Sequence, residues 1–365
     1  MKLSISKQDL LASINRVIKA TASRPSVPYL SGILITVSDT EMTLFASDLE
    51  TSIQTKVNCL IEESGTVAVA GKILANIVNA LPETTVHLYE EGEFLKIVAD
   101  QSEFEIRKIN TSDFSTFPVI NNEQEVVVPA DKLSMMVKKV SKAVSRDESR
   151  VVLTGVLLTV ENDQITMVST DSFRLALIEQ KIENPIEETF SVLIPGKVLE
   201  EASRMIGNSG NVRIEASSNQ TLFSFDSTKM LTRRLEGKFP NFEQLIPKSY
   251  TTKAIIDHAE LLDSVKRVSI LALNNAAISV DVSAENQTLT LGSKTQELGS
   301  ASASMLIKTE GEDNSIAINY SFFIDGLSVI NSETVYLEIQ DPLRPGILRA
   351  PEENFTYLVM PVRAS

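Results

Sequence analysis

The sequence predicts an α+β protein made of three repeated domains, and three observations carry that reading. First, LSGILITVSDTEMTLFASD (30–48) and LTGVLLTVENDQITMVSTD (153–171) align without a gap at a constant offset of 123 residues, with Leu30/Leu153, Gly32/Gly155, Thr43/Thr166 and Asp48/Asp171 identical. Gap-free likeness over such a length is the mark of an internal repeat. Second, within each copy the apolar residues fall mostly at every second position, as antiparallel strands with one buried face require. Third, KQDLLASINRVIKA and ADKLSMMVKKVSKA precede these runs with apolar residues at helical spacing, Leu10 and Leu133 again 123 apart. Helices set against antiparallel strands give an α+β unit.

The elements follow in order. Ser6 opens the first helix, with Asp9 placed to complete a weak capping box. GILITV and EMTLFAS form a hairpin about the turn Ser38-Asp39-Thr40. A second helix starts at Gly71-Lys72 in VAGKILANIVNAL, and its echo starts at Gly196-Lys197 in IPGKVLEEASRMI. The third copy is fainter. HAELLDSVKRVSIL supplies its first helix, AISVDVSAENQTLTLGS its hairpin and INYSFFIDGLSVI (318–330) its second helix, with Tyr320 set against Gly196. Each unit ends near a proline, at Phe117-Pro118, Phe239-Pro240 and Met360-Pro361. The expected domains are therefore 1–122, 123–248 and 249–365, each long enough to bury its own core.

Composition narrows the function. Hydrophobic residues make up 43% and charged residues 22%, the balance of a soluble globular chain. The N-terminus lacks the pattern of an export signal. The most apolar stretch, VVLTGVLLTV, is about half the ~20 residues of a membrane helix. Cys59 is the single cysteine and has no partner for an internal disulfide, which suits a cytoplasmic protein. The net charge of −14 argues against nucleic acid when taken alone, because phosphate binding is driven by Lys and Arg. The charge is unevenly spread, however. Residues 132–146 carry Lys132, Lys138, Lys139, Lys142 and Arg146 without an acid, and Lys138, Lys142 and Arg146 recur as a stripe if the segment is helical. Leu133, Met136, Val137 and Val140 would form the opposite, apolar face.

The residues that catalysis would need do not assemble. His87 and His258 have no partners at metal-ligand spacing, and no phosphate-cradling glycine loop or nucleophile elbow occurs. Asp48 and Asp171 read as turn residues in both copies. No catalytic residue, metal or cofactor is expected. A hydrolase using scattered carboxylates is one rival reading, and a three-repeat binding scaffold is the other.

TDSFRLA in the second unit, GKFPNFEQLIP (237–247) at its end and the C-terminal YLVMPVR (357–363) resemble, in order and spacing, the bacterial DNA polymerase sliding clamps, the beta subunit of polymerase III. The resemblance runs from Met1 to Arg363. It implies a DNA clamp fold with two helices per domain packed on antiparallel sheets, and a head-to-tail homodimeric ring around double-stranded DNA of any sequence. It implies as partners the alpha subunit of the replicative polymerase, the clamp loader and other proteins bearing a clamp-binding motif, with no membrane involved. An acidic exterior around a basic bore would account for the charge.

By this resemblance Arg24, Lys72, Arg150 and Lys197 meet DNA, and the helical reading adds Lys138, Lys139 and Lys142. The implied peptide pocket takes Leu153, Thr170, Ser172, Phe173, Arg174 and Leu175 from one segment. Pro240 and Leu245 come from a second. Leu343, Pro345, Leu358, Met360, Pro361, Val362 and Arg363 come from the third domain. The Arg174 guanidinium is expected to hold a peptide carbonyl or carboxylate. Ring closure is assigned to Phe104 and Ile106 on one side and Ile270 and Leu271 on the other, although Phe104 fits a core position equally well. Ser172-Phe173 stands where glycine and histidine are frequent, and Glu243-Gln244 where basic residues are common, which leaves the peptide preference open.

Overall fold

The structure is a computed structural model that describes residues 1–22, 27–38, 41–120, 124–272, 276–295 and 298–363. Among them are six α-helices, two in each predicted repeat: α1 (Lys7–Val17), α2 (Gly71–Ala80), α3 (Ala130–Val140), α4 (Gly196–Ile206), α5 (His258–Ser269) and α6 (Tyr320–Leu327).

Helix α1 starts as its sequence predicts. The Asp9 N–H donates to the Ser6 hydroxyl at 3.1 Å, and that hydroxyl donates to the Asp9 carboxylate at 2.7 Å. Leu10, Ile14 and Val17 form its buried face, and Leu133, Met136, Val137 and Val140 do the same on α3. Helix α3 stops at Val140 and passes through a short 3-10 turn, Ser141–Ala143, into extended chain. Lys142 and Arg146 therefore lie beyond the helix, and of the expected stripe only the exposed Lys138 stands on it. The i, i+4 rule holds only while the helix continues.

The strands pair antiparallel throughout the described residues. In the first repeat Gly32–Ser38 pairs with Glu41–Ser47, Leu34 opposite Phe45 and Thr36 opposite Thr43. Its turn residues 39 and 40 lie outside the described residues. In the second repeat the chain bends at Asn162, which has φ 52°. There the pairing of Gly155–Thr170 passes from the late half of Arg174–Pro195 to the early half.

Two compact units result. One joins Met1–Asp131 to Glu201–Arg234, the other Lys132–Glu200 to Leu235–Ser365. In the first unit a thirteen-stranded sheet forms among the described residues, because Thr228–Arg233 of the second repeat pairs with Thr51–Asn58 of the first. In the second unit Arg174–Ile178 pairs with Phe355–Val359 of the third repeat inside a seven-stranded sheet. A four-stranded sheet lies beside it in order Gly299–Leu306, Thr288–Thr295, Ala277–Ser283, Asn314–Asn319. The second repeat thus divides its strands between the units, and each adjacent pair of repeats is joined by a strand ladder.

Candidate functional site

The segment STDSFRLA forms a tight turn held by its own side chains. The Asp171 carboxylate accepts the N–H groups of Phe173 at 2.9 Å and Arg174 at 3.0 Å. Ser172 between them has φ 80°. The Thr170 hydroxyl donates to the Arg174 carbonyl at 2.6 Å and accepts the Ser172 N–H at 3.2 Å. The chain then enters a strand in which Arg174 lies opposite Val359 and Leu175 opposite Leu358. The Met360 N–H donates to the Phe173 carbonyl at 2.8 Å, which ties the C-terminal segment to the turn.

Arg174 does not wait for a ligand with its charge free. Its Nε donates to Asp171 at 3.0 Å, and one Nη donates to Asp325 at 2.5 Å and to the Tyr357 hydroxyl at 3.3 Å. The guanidinium carbon lies 4.4 Å from the centre of the Phe322 ring, and Phe173 stacks on that ring at 6.3 Å. Burial pushes the Tyr357 phenol well above its ordinary range, so it stays neutral and donates a hydrogen bond to the Phe322 carbonyl at 3.0 Å. The guanidinium expected to hold a peptide carbonyl or carboxylate is thus already engaged within the protein. It matches two carboxylates inside the protein and fastens the turn to α6. Phe322, Asp325 and Tyr357 were not selected from the sequence. The signal available was modest, since Phe322 and Asp325 lie one helical turn apart and so share a face.

The expected pocket residues fall into two groups. Leu153, Thr170, Leu175 and Leu358 are buried. Leu175 and Leu358 join Val168, Leu193 and Phe239 in one apolar cluster, with Phe242 and Ile246 packed against it. Ser172, Phe173, Pro240, Leu245, Leu343, Met360 and Arg363 are exposed, while Pro345, Pro361 and Val362 are half-buried. Pro361 bridges to Ile318, and the Val362 N–H donates to the Ala317 carbonyl at 2.8 Å. Leu343 and Pro345 belong to the exposed loop before Gly346. Large exposed apolar side chains above a packed apolar floor make a surface suited to a short peptide.

The expected DNA-facing cations also divide. Lys72 and Lys197 are exposed at the second positions of α2 and α4, Lys138 is exposed near the end of α3 and Lys142 just beyond it. Lys197 approaches Glu148 at 3.6 Å with both side chains in solvent, a contact of little energy. Arg150 donates to Asp147 and to the Ser172 hydroxyl, both at 3.0 Å, and so supports the turn. Arg24 lies outside the described residues.

Lys139 is a correction. It is 1% exposed, donates to the Val329 carbonyl at 2.8 Å, pairs with Glu353 and lies 4.9 Å from the centre of the Phe355 ring. The Glu353 carboxylate also accepts the N–H groups of Asn331 and Ser332 and the Ser332 hydroxyl. Helical periodicity explains the error, because residue 139 stands beside Met136 and Val140 on the buried face. No phosphate can reach it there.

Of the ring-closure residues, Phe104 is 37% exposed and Ile270 is 68% exposed, with Leu271 half-buried. Ile106 is a further correction. It is 4% exposed and sits opposite Leu95 on the core side of its strand, so it offers an interface only its backbone. No group of three or more metal-binding side chains occurs among the described residues, and no helix there is long and apolar enough to cross a membrane.

Comparison with known proteins agrees along the whole chain. Family models of the DNA polymerase III beta subunit match its N-terminal domain over residues 1–118, its central domain over 127–241 and its C-terminal domain over 243–363. The beta sliding clamps of Bacillus subtilis and Streptomyces coelicolor are each 30% identical, over all of this chain and all of theirs. A solved putative DNA polymerase III beta subunit from Eubacterium rectale superposes with a TM-score of 0.93 at 30% identity. The DNA polymerase sliding clamp of Bacillus subtilis superposes with 0.95 at 28% identity, and both comparisons cover each chain completely.

Proposed function

The chain belongs to the family of bacterial DNA polymerase III beta subunits and acts as a DNA sliding clamp, and from that premise we propose that two copies close head to tail into a ring around duplex DNA. One observation carries the proposal, the unfinished series of strand ladders between repeats. The first repeat is joined to the second through Thr51–Asn58 and Thr228–Arg233, and the second to the third through Arg174–Ile178 and Phe355–Val359. The next ladder needs Gly299–Leu306 of the third repeat and Ser102–Ile109 of the first. Among the described residues the former pairs on one side only, and the latter has a second partner only at Lys108 and Ile109. Open edges of this kind seek strands, and a heterologous contact that closes makes a ring.

The register can be carried over. Thr228 and Phe355 each begin their strand, and they face Thr55 and Ile178, which are 123 residues apart. Ser102 begins the corresponding strand in the first repeat. Ser169 and Ser293 make the same hydroxyl bond, to Val140 and Val268, and are paired with Ala176 and Ala301, so Ala303 corresponds to Ile178. Ser102 then faces Ala303 and Phe104 faces Ala301, with Ile270 and Leu271 beside them.

In this reading Lys72, Lys138, Lys142 and Lys197, with Arg24 and Arg150, meet phosphates without reading sequence. Polymerase, clamp loader and other motif-bearing partners dock at the surface around Phe173, Leu245 and Met360. The protein works in the cytoplasm and catalyses no reaction of its own. The test is topological. Protein placed by its clamp loader on nicked circular DNA should co-elute with that DNA and be released when the circle is cut once. A peptide-docking scaffold without a ring would show no difference between circular and linear DNA.

A further inference from the structure

Each first helix carries a cation one position before its last buried valine: Arg16 before Val17, Lys139 before Val140 and Arg267 before Val268. The first two reach across to the next repeat. Arg16 donates to the Thr228 hydroxyl at 3.1 Å and lies 3.8 Å from the Asp226 carboxylate. Lys139 pairs with Glu353. Asp226 and Glu353 hold the same place, two residues before the strand that forms the inter-repeat ladder. Each ladder is thus accompanied by one cation–carboxylate clasp from helix to turn.

Arg267 belongs to the third repeat, and the described residues hold no later one for it to meet. It is exposed, its one described side-chain bond is to the Ser264 hydroxyl at 2.7 Å, and no carboxylate pairs with it among the described residues. The place held by Asp226 and Glu353 is taken in the first repeat by Asp100, two residues before Ser102. The turns match in backbone, since Asp100 has φ 50° and Asp226 has φ 45° within two-residue connections. Asp100 is exposed and likewise has no cation paired with it among the described residues. We propose that Arg267 forms a third clasp with Asp100 of the partner subunit, which fixes the register of the head-to-tail contact. This rests on the ring reading and adds to it a specific ion pair, present twice per ring.

The heterologous geometry gives a direct test. R267E and D100R should each weaken the dimer roughly tenfold in sedimentation equilibrium, because each places like charges together at both contacts. An equimolar mixture of the two variants should recover wild-type affinity to within about twofold, since one contact then carries the reversed pair and the other the native pair. Both positions are exposed, and circular dichroism checks that each variant is folded. If the mixture associates no better than either variant alone, or if the single variants dimerise normally, the clasp is wrong while the ring stands. If the wild-type protein stays monomeric at micromolar concentration, the ring reading falls and takes the clasp with it.

Discussion

Asp48 and Asp171 stand 123 residues apart and fold the same turn. Asp48 accepts the N–H groups of Glu50 and Thr51 at 3.0 and 2.7 Å, and Asp171 accepts those of Phe173 and Arg174 at 2.9 and 3.0 Å. The residue after each aspartate is left-handed, Leu49 at φ 78° and Ser172 at φ 80°. Two positions later the copies part. Thr51 is a small buried residue, whereas Arg174 sends its guanidinium to Asp325 and Tyr357. The helix-to-turn clasps differ in the same direction. Arg16 and Asp226 meet near the surface, while Lys139 and Glu353 are buried in a network of further hydrogen bonds. The repeats share backbone, and that shared backbone carries the ladders between repeats. The second copy adds charged side chains at the turn around which we propose that partners dock.

The largest effect should come from breaking the buried clasp. Lys139→Ala leaves Glu353 without its cation and should cost about 3–5 kcal/mol in denaturant unfolding. Arg16→Ala, at the matching place, should cost under about 1 kcal/mol because solvent already screens the pair. Equal losses would show that the clasps do not differ as their burial indicates.

The turns should respond next. Arg174→Ala removes the partner of two carboxylates and should cost about 2–3 kcal/mol, and it should also weaken a motif peptide that otherwise binds in the micromolar range, roughly −8 kcal/mol. Thr51→Ala should cost about 0.5 kcal/mol, since the turn depends on its backbone N–H and not its hydroxyl. Calorimetry with the peptide separates the two roles of Arg174, because a purely structural residue would change stability and leave affinity alone.

The smallest effect is a pH dependence of the second clasp. Burial alone would raise the Glu353 carboxyl, but Lys139, Ser332 and the Asn331 N–H outweigh it and hold the group below its ordinary 4.5. A depressed folded value means that the contribution is present above the ordinary value and is lost as pH falls through the folded one. Stability should decline below about pH 4.5, and Glu353→Gln should flatten that acid limb.

Much of this was legible in the sequence, and the limits have physical causes. The repeat offset, the helix faces and the Ser6–Asp9 cap are local or periodic, so residue spacing reveals them. The partner of Lys139 lies 214 residues away, and those of Arg174 lie 151 and 183 residues away, beyond any local pattern. A basic run without acids in sequence therefore said nothing about the acid that meets it in space. Alternation correctly put Phe104 and Ile106 on one face, but it could not show that the core covers Ile106 and leaves Phe104 partly open. The pocket segments were legible through resemblance to a family, and Phe322 and Asp325 required the packing of α6.

The central claim is that the open ladders of one copy are completed by another, in the register that the repeats already use. Disulfide trapping measures this most directly. In a Cys59→Ser background, Phe104→Cys with Ala301→Cys places two thiols opposite each other only if the third repeat of one chain meets the first repeat of the next. Mild oxidation should convert the protein to a single covalent species at twice the 40.1 kDa chain mass, with no larger products. A product that remains monomeric, or that extends into a ladder of open oligomers, would contradict the ring.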